Sequence, residues 1–281
     1  MIIDFHTHIF SPHLVKKRSE YFNDSTFSLL YSNDKSRIID HTELIKVMDD
    51  SHVDYAVAMG FPWERAEYCN EQNEYLKEAM TLTNNRIIAF GSLPLNDRKA
   101  VESNVKKIKD LGLAGIGEIA FYWNGLNESK SDILTSLCSA AMEYTLPLCI
   151  HINEPVGHHY TGKHQTDLNT LYAVLQNFPE LTVILAHWGG GLLFYELMKE
   201  VKESLKNVYY DTAASPYLYS DEIYHIAIDI IGPEKILFGS DFPLINFKRY
   251  IDSINKFIVS HLNREKIFNK NAVGILKEFL K

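Results

Sequence analysis

The chain predicts a single (β/α)8 barrel, and three observations carry that expectation. β-rich runs and helical stretches alternate from the first residues to the last. There are eight such runs, the number that a parallel barrel of about 250 residues needs. The first run ends in His6-Thr7-His8 without a glycine, whereas a doubly wound open sheet, the main rival, usually opens on a glycine-rich phosphate turn.

Taken in order, the expected strands cover residues 2–6, 55–59, 87–93, 115–119, 148–152, 182–186, 208–211 and 236–239. Most of their interiors are apolar, as strands buried on both faces of a parallel sheet must be. Helical spacing marks 42–51, 65–83, 98–111, 131–144, 166–178, 192–205 and 221–231, and helices at 247–261 and 264–280 close the chain. Ser131-Asp132 and Ser220-Asp221 read as helix starts. Gly112 and Gly232-Pro233 read as stops. Residues 11–40 fit neither pattern, being rich in Ser, Asn, Asp, Lys and aromatics. In a barrel this insertion after strand one lies over the C-terminal mouth, as a lid or as an ordinary surface loop. No repeat, low-complexity tract or linker divides residues 1–281, so one domain is expected.

Composition narrows the function classes. A hydrophobic content of 46% with 23% charged residues describes a globular chain with ample core. The net charge of −8 argues against nucleic acid or an anionic membrane as partner, although a local site can still take a small anionic substrate. Asp4 and His6 stand where a signal peptide needs apolar residues, and no apolar run approaches a membrane span. Cys69, Cys138 and Cys149 form neither a CxxC pair nor a disulfide framework and read as small core residues. A cytoplasmic location is the simplest expectation.

A barrel gathers the ends of its strands at one mouth. Residues two apart on a strand share a face, so His6 and His8 bring two imidazoles to one point. Strand four ends in Gly115-Ile116-Gly117-Glu118, strand five in His151, strand six in His187 and strand eight in Gly239-Ser240-Asp241. Each residue alone reads as a capped or core side chain. Five coincident strand ends instead make a nitrogen and oxygen ligand set for Zn²⁺, Mn²⁺ or a similar divalent ion.

These residues, with Ala-His-Trp-Gly-Gly-Gly at 186–191 and Gly-Ser-Asp-Phe-Pro at 239–243, resemble the amidohydrolase superfamily. They are most similar to its amidohydrolase 2 branch of lactonases and decarboxylases of the aminocarboxymuconate-semialdehyde type. The likeness runs from residue 1 to Asn271-Ala272. It implies a metal, most readily zinc, held by His6, His8 and His151, with Asp241 as ligand or as general base beside bound water. His187 would hold a second ion, or orient water or polarise substrate. Glu118 departs from the one-metal members and is similar to the Gly-Glu of TatD-like nucleases, leaving one or two ions open. Barrels of this branch often pair, so a homodimer is an analogy.

The loop after strand five, residues 153–160, sits over this site and offers His158, His159 and Tyr160 to a substrate oxygen, although loop histidines are often idle. Arg65, in the loop after strand two, is the expected bidentate carboxylate clamp, with pairing to Glu64 or Glu67 as the plain alternative. Tyr122 and Trp123 offer an apolar wall or core. The expected function is a metal-dependent hydrolase of a small organic acid, ester, lactone or amide. The alternatives are a non-oxidative decarboxylase on the same site, a TatD-like nuclease and a non-catalytic ligand-binding barrel.

Overall fold

The computed structural model describes residues 1–280. Eight parallel strands follow one another around a barrel in chain order: β1 (Ile3–His8), β2 (Tyr55–Met59), β3 (Ile87–Gly91), β4 (Gly115–Ile119), β5 (Leu148–Ile150), β6 (Val183–Leu185), β7 (Val208–Asp211) and β8 (Ile236–Leu237). Backbone bonds join the last strand region to the first: Phe5 N–H to Phe238 O at 2.7 Å, Asp241 N–H to His6 O at 2.9 Å and His8 N–H to Phe242 O at 2.8 Å. That seam brings the His-x-His segment against Asp241.

Side-chain alternation divides the strands into two packed layers. Ala56, Ala58, Ile87, Ala89, Leu148, Ile150, Val183 and Leu185 belong to the outer core shared with the helices. Ile3, Phe5, Val57, Ile88, Phe90, Cys149, Ile184 and Leu237 form the barrel's own interior. Ala272 and Leu276, from the closing helix Asn271–Leu276, join this inner cluster. All three cysteines are buried and free.

Two irregularities deliver site residues inward. The register of β1 against β2 shifts between Asp4 and Thr7, so the inward face passes from Ile3 and Phe5 to His6 and His8. The register of β4 against β5 shifts between Ile116 and Ile119. Both isoleucines pack in the outer core, and Glu118 is turned to the site. A one-residue slip exchanges the faces of a strand, which is what a bulge achieves locally.

Most expected helices are present, among them His41–Asp50, Ala66–Leu82, Val101–Asp110, Ser131–Glu143 and Ile223–Ile231. Gly112 and Gly232 end their helices with φ of 73° and 82°. The starts differ. Asn127 caps the turn before Ser131, and Ile223–Ile231 begins without a side-chain cap from Ser220. The expected helix over 192–205 is divided at extended Met198 into a 3₁₀ stretch ending at Leu197 and the α-helix Lys199–Ser204, and Trp188 and the three glycines that follow it adopt left-handed backbone. Consecutive glycines favour that region and weaken a regular helix.

The insertion is ordered. Helices Pro12–Lys16 and Ser25–Tyr31 are capped by Ser11 and Asp24. Phe27 stacks on Trp63 with centroids 4.8 Å apart. Buried Asp24 accepts the N–H groups of Phe27, Glu64 and Arg65. Aromatic packing and these bonds fix the insertion to the loop after β2. No described helix is long and apolar enough to cross a membrane.

Candidate active site

The side chains at the strand ends meet at the C-terminal mouth. His6 Nε2 lies 3.2 Å from His8 Nε2, and Asp241 Oδ1 is 3.3 Å from His8 Nε2 and 3.9 Å from His6 Nε2. Glu118 sits among four histidines. Its Oε1 is 2.8 Å from His151 Nδ1, 3.4 Å from His187 Nε2 and 3.6 Å from His6 Nε2, and its Oε2 is 3.8 Å from His8 Nε2. His187 Nε2 and His151 Nδ1 are 3.0 Å apart.

Hydrogen bonds fix how these rings face. His6 Nδ1 lies 2.7 Å from Asp211 Oδ2, so Nδ1 donates to that carboxylate and Nε2 faces the site. His187 Nδ1 is 3.1 Å from the Ala213 carbonyl, which orients its Nε2 the same way. His8 Nδ1 is buried without a partner. Asn153 Nδ2 lies 3.1 Å from His151 Nε2 and donates to Tyr160 OH at 3.0 Å.

Backbone geometry shapes the same point. His187 and Asp241 have φ of 58° and 63°, conformations uncommon outside glycine that concentrate at functional sites. At Gly239 an added Cβ would lie 2.8 Å from His6 Cβ, so glycine makes room for the ligand strand.

The electrostatics are those of buried carboxylates and imidazoles that stabilise one another's charge. Burial raises the carboxyl of Glu118, but His151, His6 and His187 pull it well below its usual range. Burial opposes ionisation of Asp241 too, and His8, His6 and His187 hold it below the usual range. Burial lowers His6, yet Glu118 and Asp211 lift it well above 6.5. His187 is lowered by burial and lifted to about 9 by Glu118, Asp241 and Asp211. His6, His8 and Asp241 present atoms within 4.8 Å of one another, as do His6, Glu118 and His187. Imidazole nitrogens facing ionised carboxylates fit a divalent cation with mixed nitrogen and oxygen preference, which would take the place of their protons.

Above this floor is a cavity of about 860 Å³, lined in part by Tyr31, Phe61, Tyr122 and Tyr217. Residues 29–33 and 35–37 of the insertion also line it. Of the sequence candidates, His8, Glu118, His151, His158, Tyr160, His187 and Asp241 line the cavity, and fully buried His6 lies just behind them. Arg65 is elsewhere: its guanidinium pairs with Glu67 at 3.2 Å and donates to Asn23 O at 3.3 Å. The plain ion-pair alternative therefore describes it, because Asp24 anchors the start of its helix outward. His159 is exposed and does not line the cavity.

Sequence reasoning passed over Asp211, Asn153 and the cationic side chains of the insertion. Asp211 had a signal, since it closes the seventh expected strand as the histidines close theirs. Asn153 was visible only as one polar loop residue. Lys35 and Arg37 lie in a stretch without periodicity.

A barrel with four histidines and two carboxylates converging at its C-terminal mouth defines an enzyme of the metallo-dependent barrel type. The chain belongs to the amidohydrolase family, whose sequence model matches residues 3–277. A gamma-resorcylate decarboxylase of Rhizobium radiobacter is 23% identical over 255 residues, covering 75% of this chain and 76% of that protein. The structure of 5-carboxyvanillate decarboxylase from Novosphingobium aromaticivorans, complexed with manganese and 4-hydroxy-3-methoxy-5-nitrobenzoic acid, aligns with a TM-score of 0.79 at 16% identity. That alignment covers 99% of this chain and 96% of the other. A probable 2-pyrone-4,6-dicarboxylic acid hydrolase from Acinetobacter baumannii, with citric acid bound, has a TM-score of 0.66 at 14% identity, covering 98% and 99%. Decarboxylases and a probable hydrolase thus both occur among the relatives, and the 5-carboxyvanillate decarboxylase structure holds manganese.

Proposed function

We propose that this enzyme is a metal-dependent, non-oxidative decarboxylase of a small hydroxylated aromatic or similarly unsaturated carboxylic acid. One observation carries the reading: the buried histidine–carboxylate floor opens into a cavity bordered by the aromatic rings of Tyr31, Phe61, Tyr122 and Tyr217. Flat aromatic acids match such walls by stacking and edge contacts. The decarboxylase relatives support it.

His6, His8, His151 and Asp241 would hold a divalent ion, with Glu118 either a further ligand or a partner of His151. Such an ion supplies Lewis-acid polarisation of substrate oxygens. Asp211 orients His6 through the 2.7 Å contact at Nδ1, and Ala213 O orients His187. In the reaction the bond from ring carbon to carboxylate breaks, CO₂ leaves, and the electron pair on that carbon takes a proton. His187 Nε2 is assigned to handle that proton: it lines the cavity, and Glu118 keeps it basic. Tyr31 and Phe61 exclude water around the ring.

A second reading, hydrolysis of a lactone or ester, draws on Asp241. Its ionised carboxylate, 3.3 Å from His8 Nε2, suits a general base that takes a proton from water. The two readings separate by product. Manganese-loaded protein is incubated in D₂O with 2,6-dihydroxybenzoate, 5-carboxyvanillate and 2-pyrone-4,6-dicarboxylate. CO₂ with one deuterium at the former carboxyl carbon supports decarboxylation. Ring opening without CO₂ selects hydrolysis, and no turnover across a broad panel of hydroxyaryl and enol acids overturns the proposal.

A further inference from the structure

The outer end of the cavity carries a charge pattern that the reaction itself does not use. Among the described residues lining it, the acidic side chains are Glu118 and Asp241, both on the floor, while the lysine and arginine are Lys35 and Arg37 on the insertion. The Arg37 guanidinium lies 5.2 Å from the ring centroid of Phe242, the residue after Asp241. One of its terminal nitrogens pairs with Glu43. The planar fork has five N–H donors, and no other side-chain bond from it is formed among the described residues. Lys35 has no ion-pair partner among them. Arg37 is thus held at two points, by the ring face and by Glu43, with donors left over, and Lys35 adds an unpaired ammonium two residues away.

We propose that Lys35 and Arg37 form an anion subsite that selects acids carrying a second carboxylate remote from the reacting one. This rests on the reading of the cavity as an acid-binding site and deepens it by naming the substrate class, an unsaturated dicarboxylate. The inner carboxylate would approach the histidine floor, and the outer one would meet the guanidinium fork, which matches carboxylate geometry. The placement also corrects the expectation of an arginine clamp: the clamp comes from the insertion, not from Arg65. Glu43 competes with the ligand for Arg37 and sets the strength of the subsite.

Binding without turnover tests this. Isophthalate and benzoate are titrated calorimetrically into the manganese-loaded protein, into Lys35→Ala/Arg37→Ala, and into Glu43→Gln. The wild type should bind isophthalate at least tenfold more tightly than benzoate. The double variant should lose that preference with benzoate affinity and metal content unchanged, and Glu43→Gln should increase it. Both cations sit on exposed side chains, and circular dichroism together with metal content establishes that each variant is folded. Equal affinity for the two acids in the wild type, or a preference that survives in the folded double variant, overturns the proposal. Decarboxylation can fail on every substrate while the diacid preference stands, and the reverse, so the two readings fail separately.

Discussion

Asp211 Oδ2 lies 2.7 Å from His6 Nδ1, while Asp211 Oδ1 accepts the backbone N–H of His187 at 2.9 Å and of Ala213 at 3.0 Å. One buried carboxylate therefore sets the ring of a first-strand histidine and the backbone of a sixth-strand one. Carboxylates placed behind a ligating imidazole fix its tautomer and raise its basicity. Asp211→Asn should keep the fold and weaken divalent metal affinity by about 10–100-fold. Competitive metal titration checks this, and an unchanged affinity would show that Asp211 serves folding alone.

Glu118 provides the charge that lifts His187. In metal-free Glu118→Gln the His187 pKa should fall from about 9 towards 6.5, and metal affinity should drop by tenfold or more, by the usual cost of losing a charged partner at a metal centre. Histidine NMR titration reads the first effect and elemental analysis the second. Retention of a pKa near 9 would assign the shift to Asp241 and Asp211.

Asp241→Asn should lower turnover by about 10²–10⁴-fold, the range of a positioned proton-transfer group, while thermal unfolding stays cooperative. In hydrolysis the loss would be that of the general base, and in decarboxylation that of a carboxylate that helps hold the metal beside His8. Unchanged turnover with a full complement of metal would exclude Asp241 from the chemistry.

The metal-free protein should lose stability as pH rises. His187 has a folded-state pKa raised to about 9 from 6.5, and His6 is raised as well. The stabilisation from His187 is complete below 6.5 and disappears as pH climbs through about 9, and that from His6 is lost in the same direction. Glu118 and Asp241 are shifted down, so their contribution stays constant across that window and is lost only in acid. A chelator-treated sample should show a falling melting temperature over this interval. A bound divalent ion takes the place of those protons, so metal affinity should rise over the same interval.

Gly190 is confined by its neighbours. Its φ is +59°, and an added Cβ would lie 2.5 Å from Asn153 O and 2.7 Å from Ile152 Cγ2. Gly190→Ala should destabilise by about 1–3 kcal/mol from left-handed backbone alone, with the clash added. The displaced backbone carries Asn153, whose amide contacts His151, so metal affinity should fall with the melting temperature. A variant as stable as the wild type would mean that the loop after β5 yields freely.

The sequence by itself determined the eight strands, their parallel order and the convergence of His6, His8, Glu118, His151, His187 and Asp241. Barrel periodicity is local: apolar runs of strand length, helical spacing between them, and polar residues at run ends. Those ends share one mouth whatever the side chains do. Tertiary structure decided the rest. The register shifts in β1 and β4 that turn His6, His8 and Glu118 inward depend on neighbouring strands, and so does the His6–Asp211 contact across 205 residues. The insertion was illegible because its order comes from packing Phe27 on Trp63 and from the bonds of Asp24 to Glu64 and Arg65, not from a repeat along the chain. The same packing sends Arg65 outward and brings Lys35 and Arg37 over the cavity. Where a charged side chain ends up is fixed by what buries its neighbours, and a single sequence does not spell out those contacts.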